Sequence, residues 1–242
     1  MVQKPLSDSG PDVAIALTRL LSDHECAEAL DLIESLPESH RPDWLARVWL
    51  EVGALRPLRV LVNQLTDPEL IAAVHRTLDC GPPPIAIPVG TYPDLEGAAK
   101  DLARRGLARD LAYCHLGLAE VAPRVDWRVA HVEHASALAE QLDDARLVSL
   151  VVAYEARLDA FFGEDEDAHE RVVAAREAGA AVDEPRAVVI AALVHAVLTG
   201  DSDLWAQTRV EADALGLSAS RFGLELRLSN GEGGAGRDDE GA

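Results

Sequence analysis

Laid over itself at an offset of 40 residues, this chain of 242 residues repeats one pattern of large and small apolar side chains. Leu118 falls on Leu158, Val121 on Phe161, Val132 on Val172 and Ala135 on Ala175, while Leu142, Asp143 and Arg146 fall on Val182, Asp183 and Arg186. A second offset, of 37, places Gly163 on Gly200, Glu164 on Asp201, Val173 on Val210, Ala175 on Ala212 and Gly179 on Gly216. Each unit reads as a helix, a tight acidic turn, a second helix and a short break. One such hairpin cannot bury its apolar stripe alone, so neighbours must stack and share a continuous core. The expected fold is all-α, an α-solenoid of antiparallel helix hairpins.

The rest of the chain supports helices in both halves. Alanine and leucine dominate, and strand-like alternation of polar and β-branched residues is nearly missing. Pro11 and Asp12 open a helix carrying Val13, Leu17, Leu20 and Leu21. A second holds Ala27, Leu30, Ile33 and Leu36 and stops at Pro37. A third starts at Pro42 or Asp43 and runs through Val52, a fourth follows Pro57, and Asp67-Pro68 opens a fifth. Two leucine-rich runs, Ala29–Leu36 and Leu58–Leu65, suggest a related hairpin here. Residues 81–93 contain Pro82, Pro83, Pro84, Pro88 and Pro93, which remove amide donors and exclude a helix. They read as a linker or extended loop, with the alternation of Ile85, Ile87 and Val89 leaving a short edge strand as the lesser alternative. The expected organisation is N-terminal hairpins over 11–80, this linker over 81–93, repeats over 94–228, and a disordered acidic, glycine-rich tail over 229–242.

The repeat units resemble degenerate tetratricopeptide hairpins over roughly Leu107–Leu217. The resemblance rests on the turn glycines Gly163 and Gly200 and on small residues at Ala156, Ala168 and Ala175, with bulky Val172 between the last two. Small residues suit close helix crossings, and a large neighbour fills the gap beside them. The first unit departs from the pattern at Leu116 and Pro123, the third at Leu193, Trp205 and Arg209. Longer, degenerate units of this kind resemble the helical sensor arms of maltose-regulator-type bacterial transcription activators. The resemblance implies a right-handed solenoid with a concave binding face. On that face it places Asp110, Tyr113, Gly117 and Glu120, then Leu150, Ala153, Arg157 and Ala160, then Ala187, Ile190, Val194 and Val197. Tyr113, Glu120, Arg157, Ile190, Val194 and Val197 are its candidate binding residues. A peptide-carboxylate clamp would need several Lys, Arg and Asn there, and only Arg157 qualifies. The apolar end of the face is expected to be covered by a last helix, Ala219–Leu228, more readily than to stand open.

Twenty-two Lys and Arg against 42 Asp and Glu leave a formal charge of −20. A surface this acidic argues against phosphate-gripping nucleic-acid binding and against docking on anionic lipid. Cys26, Cys80 and Cys114 are scattered and odd in number, which suits a reducing, cytoplasmic location, and no apolar run approaches the ~20 residues of a membrane helix.

No catalytic constellation emerges. His131 and His134 lie at i and i+3 on one helical face, as metal ligands would. A third ligand would have to come from His115, Cys114 or His169, and solvated histidines are the plainer expectation, so no metal site is assigned. Cys114 and His115 are adjacent and point apart, and Cys26 beside His24 reads as buried. The acidic run Glu164–Asp167 suits a helix N-terminus. Gly231, Gly233 and Gly236 form a GxGxxG string without the strand and helix that would give it meaning. The four tryptophans read as packing. The expected role is a non-enzymatic, regulatory interaction module with a protein or peptide partner and no cofactor. Two other classes stay open: an all-α enzyme or small-ligand sensor using a pocket near the proline-rich junction, and an acidic decoy for a basic, DNA-binding surface.

Overall fold

Stretches rich in alanine and leucine and bounded by Pro, Gly or Asp form helices throughout a computed structural model, which describes residues 10–82 and 84–217. Among the described residues there are twelve α-helices and no strand. They are α1 (Gly10–Ser22), α2 (Cys26–Glu34), α3 (Arg41–Val52), α4 (Leu55–Leu61), α5 (Pro68–Cys80), α6 (Tyr92–Arg105), α7 (Ala108–Val121), α8 (Val125–Leu142), α9 (Ala145–Phe162), α10 (Asp165–Ala181), α11 (Pro185–Thr199) and α12 (Ser202–Ala214). None of these is long and apolar enough to cross a membrane. The expected last helix, the glycine-rich tail and its GxGxxG string lie outside the described residues.

The helix starts follow local chemistry. Asp67 accepts hydrogen bonds from the amides of Glu69 (3.0 Å) and Leu70 (3.3 Å), and Pro68 occupies the first helical position, where its missing N–H costs nothing. Asp201 caps α12 in the same way, accepting from Asp203 (3.1 Å) and Leu204 (2.9 Å). α4 begins at Leu55, two residues before the proline expected to precede it; Pro57 sits in the first turn, where no amide is needed. The acidic run opens α10 at Asp165 and stays exposed. Residues 84–89 are irregular, with no strand pairing at Ile85, Ile87 or Val89.

The chain forms two compact units. The first holds residues up to Cys114 together with Ala137–Asp144, and the second holds His115–Ser136 and everything from Ala145 onward. The division falls inside α7 and α8, and the proline-rich segment lies within the first unit. There α3 packs against α2, α4 and α5 over a core of Ala46, Leu55, Leu58, Leu65, Leu70 and Val74. Each fully buried leucine or valine contributes on the order of 1.5–3 kcal/mol. Beyond the prolines α6 returns onto α2, and Arg104 and Arg105 hold Glu25 and the carbonyl of Asp23.

In the second unit α9 packs on α10, α10 on α11 and α11 on α12, and α9 also meets α11. The buried side of α10 consists of Ala168, Val172, Ala175 and Gly179. A Cβ added at Gly179 would stand 3.1 Å from both the Ala187 Cβ and the Glu184 carbonyl oxygen, so the next helix approaches very closely. The turns use left-handed residues: Gly163 (φ 82) and Gly200 (φ 68), where glycine carries no Cβ penalty, and the aspartates Asp143 (φ 59) and Asp183 (φ 55).

Candidate functional site

Within the second unit, α7 carries His115 and α8 carries His131 and His134, and the short connection between these helices lets them meet side by side. One ring nitrogen from each lies within 4.8 Å of the others. His115 and His131 share a hydrogen bond between their Nδ1 atoms at 3.1 Å, and the rings of His115 and His134 stack with centroids 5.0 Å apart. His115 and His131 are half-buried, while His134 is exposed. Burial, and then the neighbouring His131 and His134, push His115 down to about 4, so at neutral pH its ring is uncharged and offers a lone pair. No other group of three or more His, Cys, Asp or Glu side chains among the described residues comes together in this way. Of the three partners considered for His131 and His134, the fold brings His115. Cys114 is buried and donates to the Leu95 carbonyl at 3.4 Å, and His169 bonds the Asp165 carbonyl at 2.7 Å.

The residues proposed for a concave face are mostly interior. Tyr113, Ile190 and Val194 are fully buried, Val197 is half-buried, and Asp110 lies half-exposed in the first unit. Arg157 is buried and donates through Nη1 to Glu120 Oε1 at 2.7 Å, so the one cation of that set is already engaged by a carboxylate. The Arg157 guanidinium also lies 5.6 Å from the ring centre of Tyr154. Burial, reinforced by Glu120, raises the Tyr154 phenol well above its ordinary range and keeps it protonated. Each unit also holds a further buried pair. In the first unit, Arg109 Nε donates to Asp144 Oδ2 at 2.7 Å; in the second, Arg186 grips Glu184 with two bonds of 2.6 Å. The other cysteine considered, Cys26, has its thiol pushed up to about 11 by burial and then Glu51, which makes it a poor nucleophile.

Among the described residues, two cavities of the first unit stand out. One, of about 500 Å³, is an apolar groove among Leu30, Trp49, Pro57, Leu102, Leu111 and Leu142, with Ala103 exposed at its edge. These side chains come from α2, α3, the first turn of α4, α6, α7 and α8. A groove assembled from six helices leaves no periodic mark in the sequence, and it was not anticipated. The other, of about 620 Å³, is wider and lined by polar and apolar side chains alike, and Arg47 crosses it to Asp67 at 2.5 Å with Trp44 beside it. Neither cavity is lined by the proline-rich segment. Trp205 is buried, Trp44 and Trp49 are half-buried, and Trp127 is exposed. Compared with known proteins, the chain matches no family model, no curated protein and no solved structure.

Proposed function

We propose that the chain is a non-enzymatic interaction module built as a right-handed, tetratricopeptide-like α-solenoid, and that it binds a protein or peptide partner in a regulatory role. The repeat part of this reading is supported by how positions 40 residues apart behave. Val132 and Val172 are both buried, as are Ala135 and Ala175; Asp143 and Asp183 are both left-handed, and each is followed by a carboxylate only 1% exposed, Asp144 and Glu184. The offset of 37 behaves alike: Ala175 and Ala212 are buried, while Val173 (56%) and Val210 (70%) both face solvent. The helix ranges follow the same shifts, α8 falling on α10, and the end of α9 on the end of α11.

The observation that carries the functional part is the apolar groove of the first unit. An apolar cavity of about 500 Å³ has the volume and the lining of an ordinary binding site. On a protein with a net charge of −20, the matching occupant is an apolar segment flanked by basic residues, such as one face of a cationic amphipathic helix.

The test is affinity capture from cytoplasmic extract with the parent chain, Ala103→Glu and Val210→Glu. Ala103→Glu puts a charge at the edge of the groove from an exposed helical position, and Val210→Glu does the same on exposed surface of the other unit. A partner retained by Val210→Glu and lost by Ala103→Glu supports the groove. Equal capture by both variants overturns it. Capture that vanishes at high salt with all three chains would move the conclusion to an acidic decoy, since screening removes charge contacts and spares apolar ones.

A further inference from the structure

We infer that His115, His131 and His134 form a three-imidazole site for a borderline divalent transition-metal ion, with Zn2+ as the representative. Two of the three nitrogens already stand at coordination spacing, and the third ring reaches the same point by turning. Tetrahedral zinc with bonds of ~2.0–2.1 Å requires ligand nitrogens ~3.3 Å apart, and the Nδ1 atoms of His115 and His131 are already separated by 3.1 Å. His134 is one helical turn beyond His131 on the same face; its ring stacks on His115 and, being exposed, is able to turn about its side-chain torsions to aim a nitrogen at the same point. The donor set selects the ion. Imidazole nitrogen suits Zn2+, Cu2+ and Ni2+, whereas Ca2+ and Mg2+ demand oxygen ligands that this cluster does not supply.

Two further features fit an ion that enters from solution. His134 is exposed, so the cluster opens to solvent on one side, and the net charge of −20 draws cations toward the molecule. Three protein ligands leave a fourth position for water or for a donor brought by another molecule. Binding would tie α7 to α8 across their turn and stabilise the hairpin by the free energy of metal association.

Full-length chain without a polyhistidine tag, stripped with chelator and dialysed, is titrated calorimetrically with ZnCl2, and Co2+ is added separately as an optical probe. The expected result is one equivalent of Zn2+ per chain, the visible absorption of four-coordinate Co2+, and a rise in thermal midpoint with Zn2+. His131→Ala and His134→Ala each remove a direct ligand. They should weaken Zn2+ by no less than the ~10–100-fold that loss of an outer-shell partner costs elsewhere. His134 is exposed, so its variant keeps the parent's helical content and metal-free midpoint, while His169→Ala binds like the parent. The assignment fails if Zn2+ does not bind, if it binds His131→Ala and His134→Ala as tightly as the parent, or if His169→Ala loses it equally.

Discussion

Asp143 and Asp144 are adjacent, yet one lies at the surface and the other is almost wholly enclosed. Asp143 takes a left-handed conformation and meets Arg59 in an exposed pair, an arrangement worth no more than about 1 kcal/mol. Asp144 is 1% exposed and receives the Arg109 Nε bond; removing it takes the carboxylate away from a buried guanidinium. Asp144→Ala should therefore cost about 3–5 kcal/mol, whereas Asp143→Gly, which relieves the positive φ as it breaks the exposed pair, should stay within about 1 kcal/mol of the parent. Urea titration of both variants reads the contrast, and equal losses would refute it. The alignment of Asp143 with Asp183 was legible in sequence, because aspartate tolerates the left-handed turn better than most residues. The partner of Asp144 was not, since Arg109 stands 35 residues away and only packing joins them. The histidines divide similarly: the spacing of His131 and His134 announces a shared face, but the third member depends on how α7 and α8 face each other. His115 has its own consequence for pH. Its folded value of about 4 lies below the ordinary 6.5, so the unfolded chain takes up the proton first as acid is added. Its contribution to stability is complete above pH 6.5 and is lost as pH falls toward 4. With chelator present, the difference in urea midpoint between the parent and His115→Gln should shrink across that window, and a constant difference would contradict the assignment.

At the level of helices, two glycines make opposite predictions from the same substitution. Gly97 lies within α6 with nothing within 4 Å of an added Cβ, so Gly97→Ala should stabilise the protein by about 0.5–1 kcal/mol through helix propensity alone. Gly179 gains the same propensity, but the new methyl meets the Glu184 carbonyl, which is backbone and cannot rotate away. The Glu184 amide also bonds back to the Gly179 carbonyl at 2.8 Å, so the turn cannot shift without breaking that bond. Gly179→Ala should therefore destabilise, and a thermal midpoint at or above the parent's would show that α10 and α11 have room to part. Ala168→Trp and Ala175→Trp extend the test along α10: both positions are fully buried, and each should cost more than the ~1–3 kcal/mol of ordinary overpacking. The sequence announced these small positions, the Asp67-Pro68 start and the glycine turns because each is a local demand of backbone or close crossing. It did not announce that α6 returns onto α2 after the prolines. That return depends on Arg104 and Arg105 reaching Asp23 and Glu25, contacts about 80 residues apart in the chain.

For the molecule as a whole, the question is whether its charge works for or against folding. A net charge of −20 repels itself in the compact state, and screening should relieve that repulsion. Salt also weakens ion pairs at or near the surface, among them Arg104 with Glu25 and Asp101, the half-buried Arg105 with the same two carboxylates, and Arg59 with Asp143. Exposed pairs contribute at most about 1 kcal/mol each, and the pairs that matter most, Arg109 with Asp144, Arg157 with Glu120 and Arg186 with Glu184, are buried beyond the reach of screening. Relief of repulsion should therefore win, and added KCl should raise the thermal midpoint. For a chain of this size about 1 kcal/mol corresponds to roughly 2–4 °C. The rise should flatten once the Debye length falls to the ~3 Å expected near 1 M, because screening saturates whereas the exclusion of salts such as sulfate continues to strengthen burial. A midpoint that falls with KCl would mean that the surface pairs form a network stronger than their separate exposures allow, and that the acidic surface is balanced within the fold. That balance would weaken the case for a basic-flanked partner at the apolar groove, because the charge attracting it would already be spent internally.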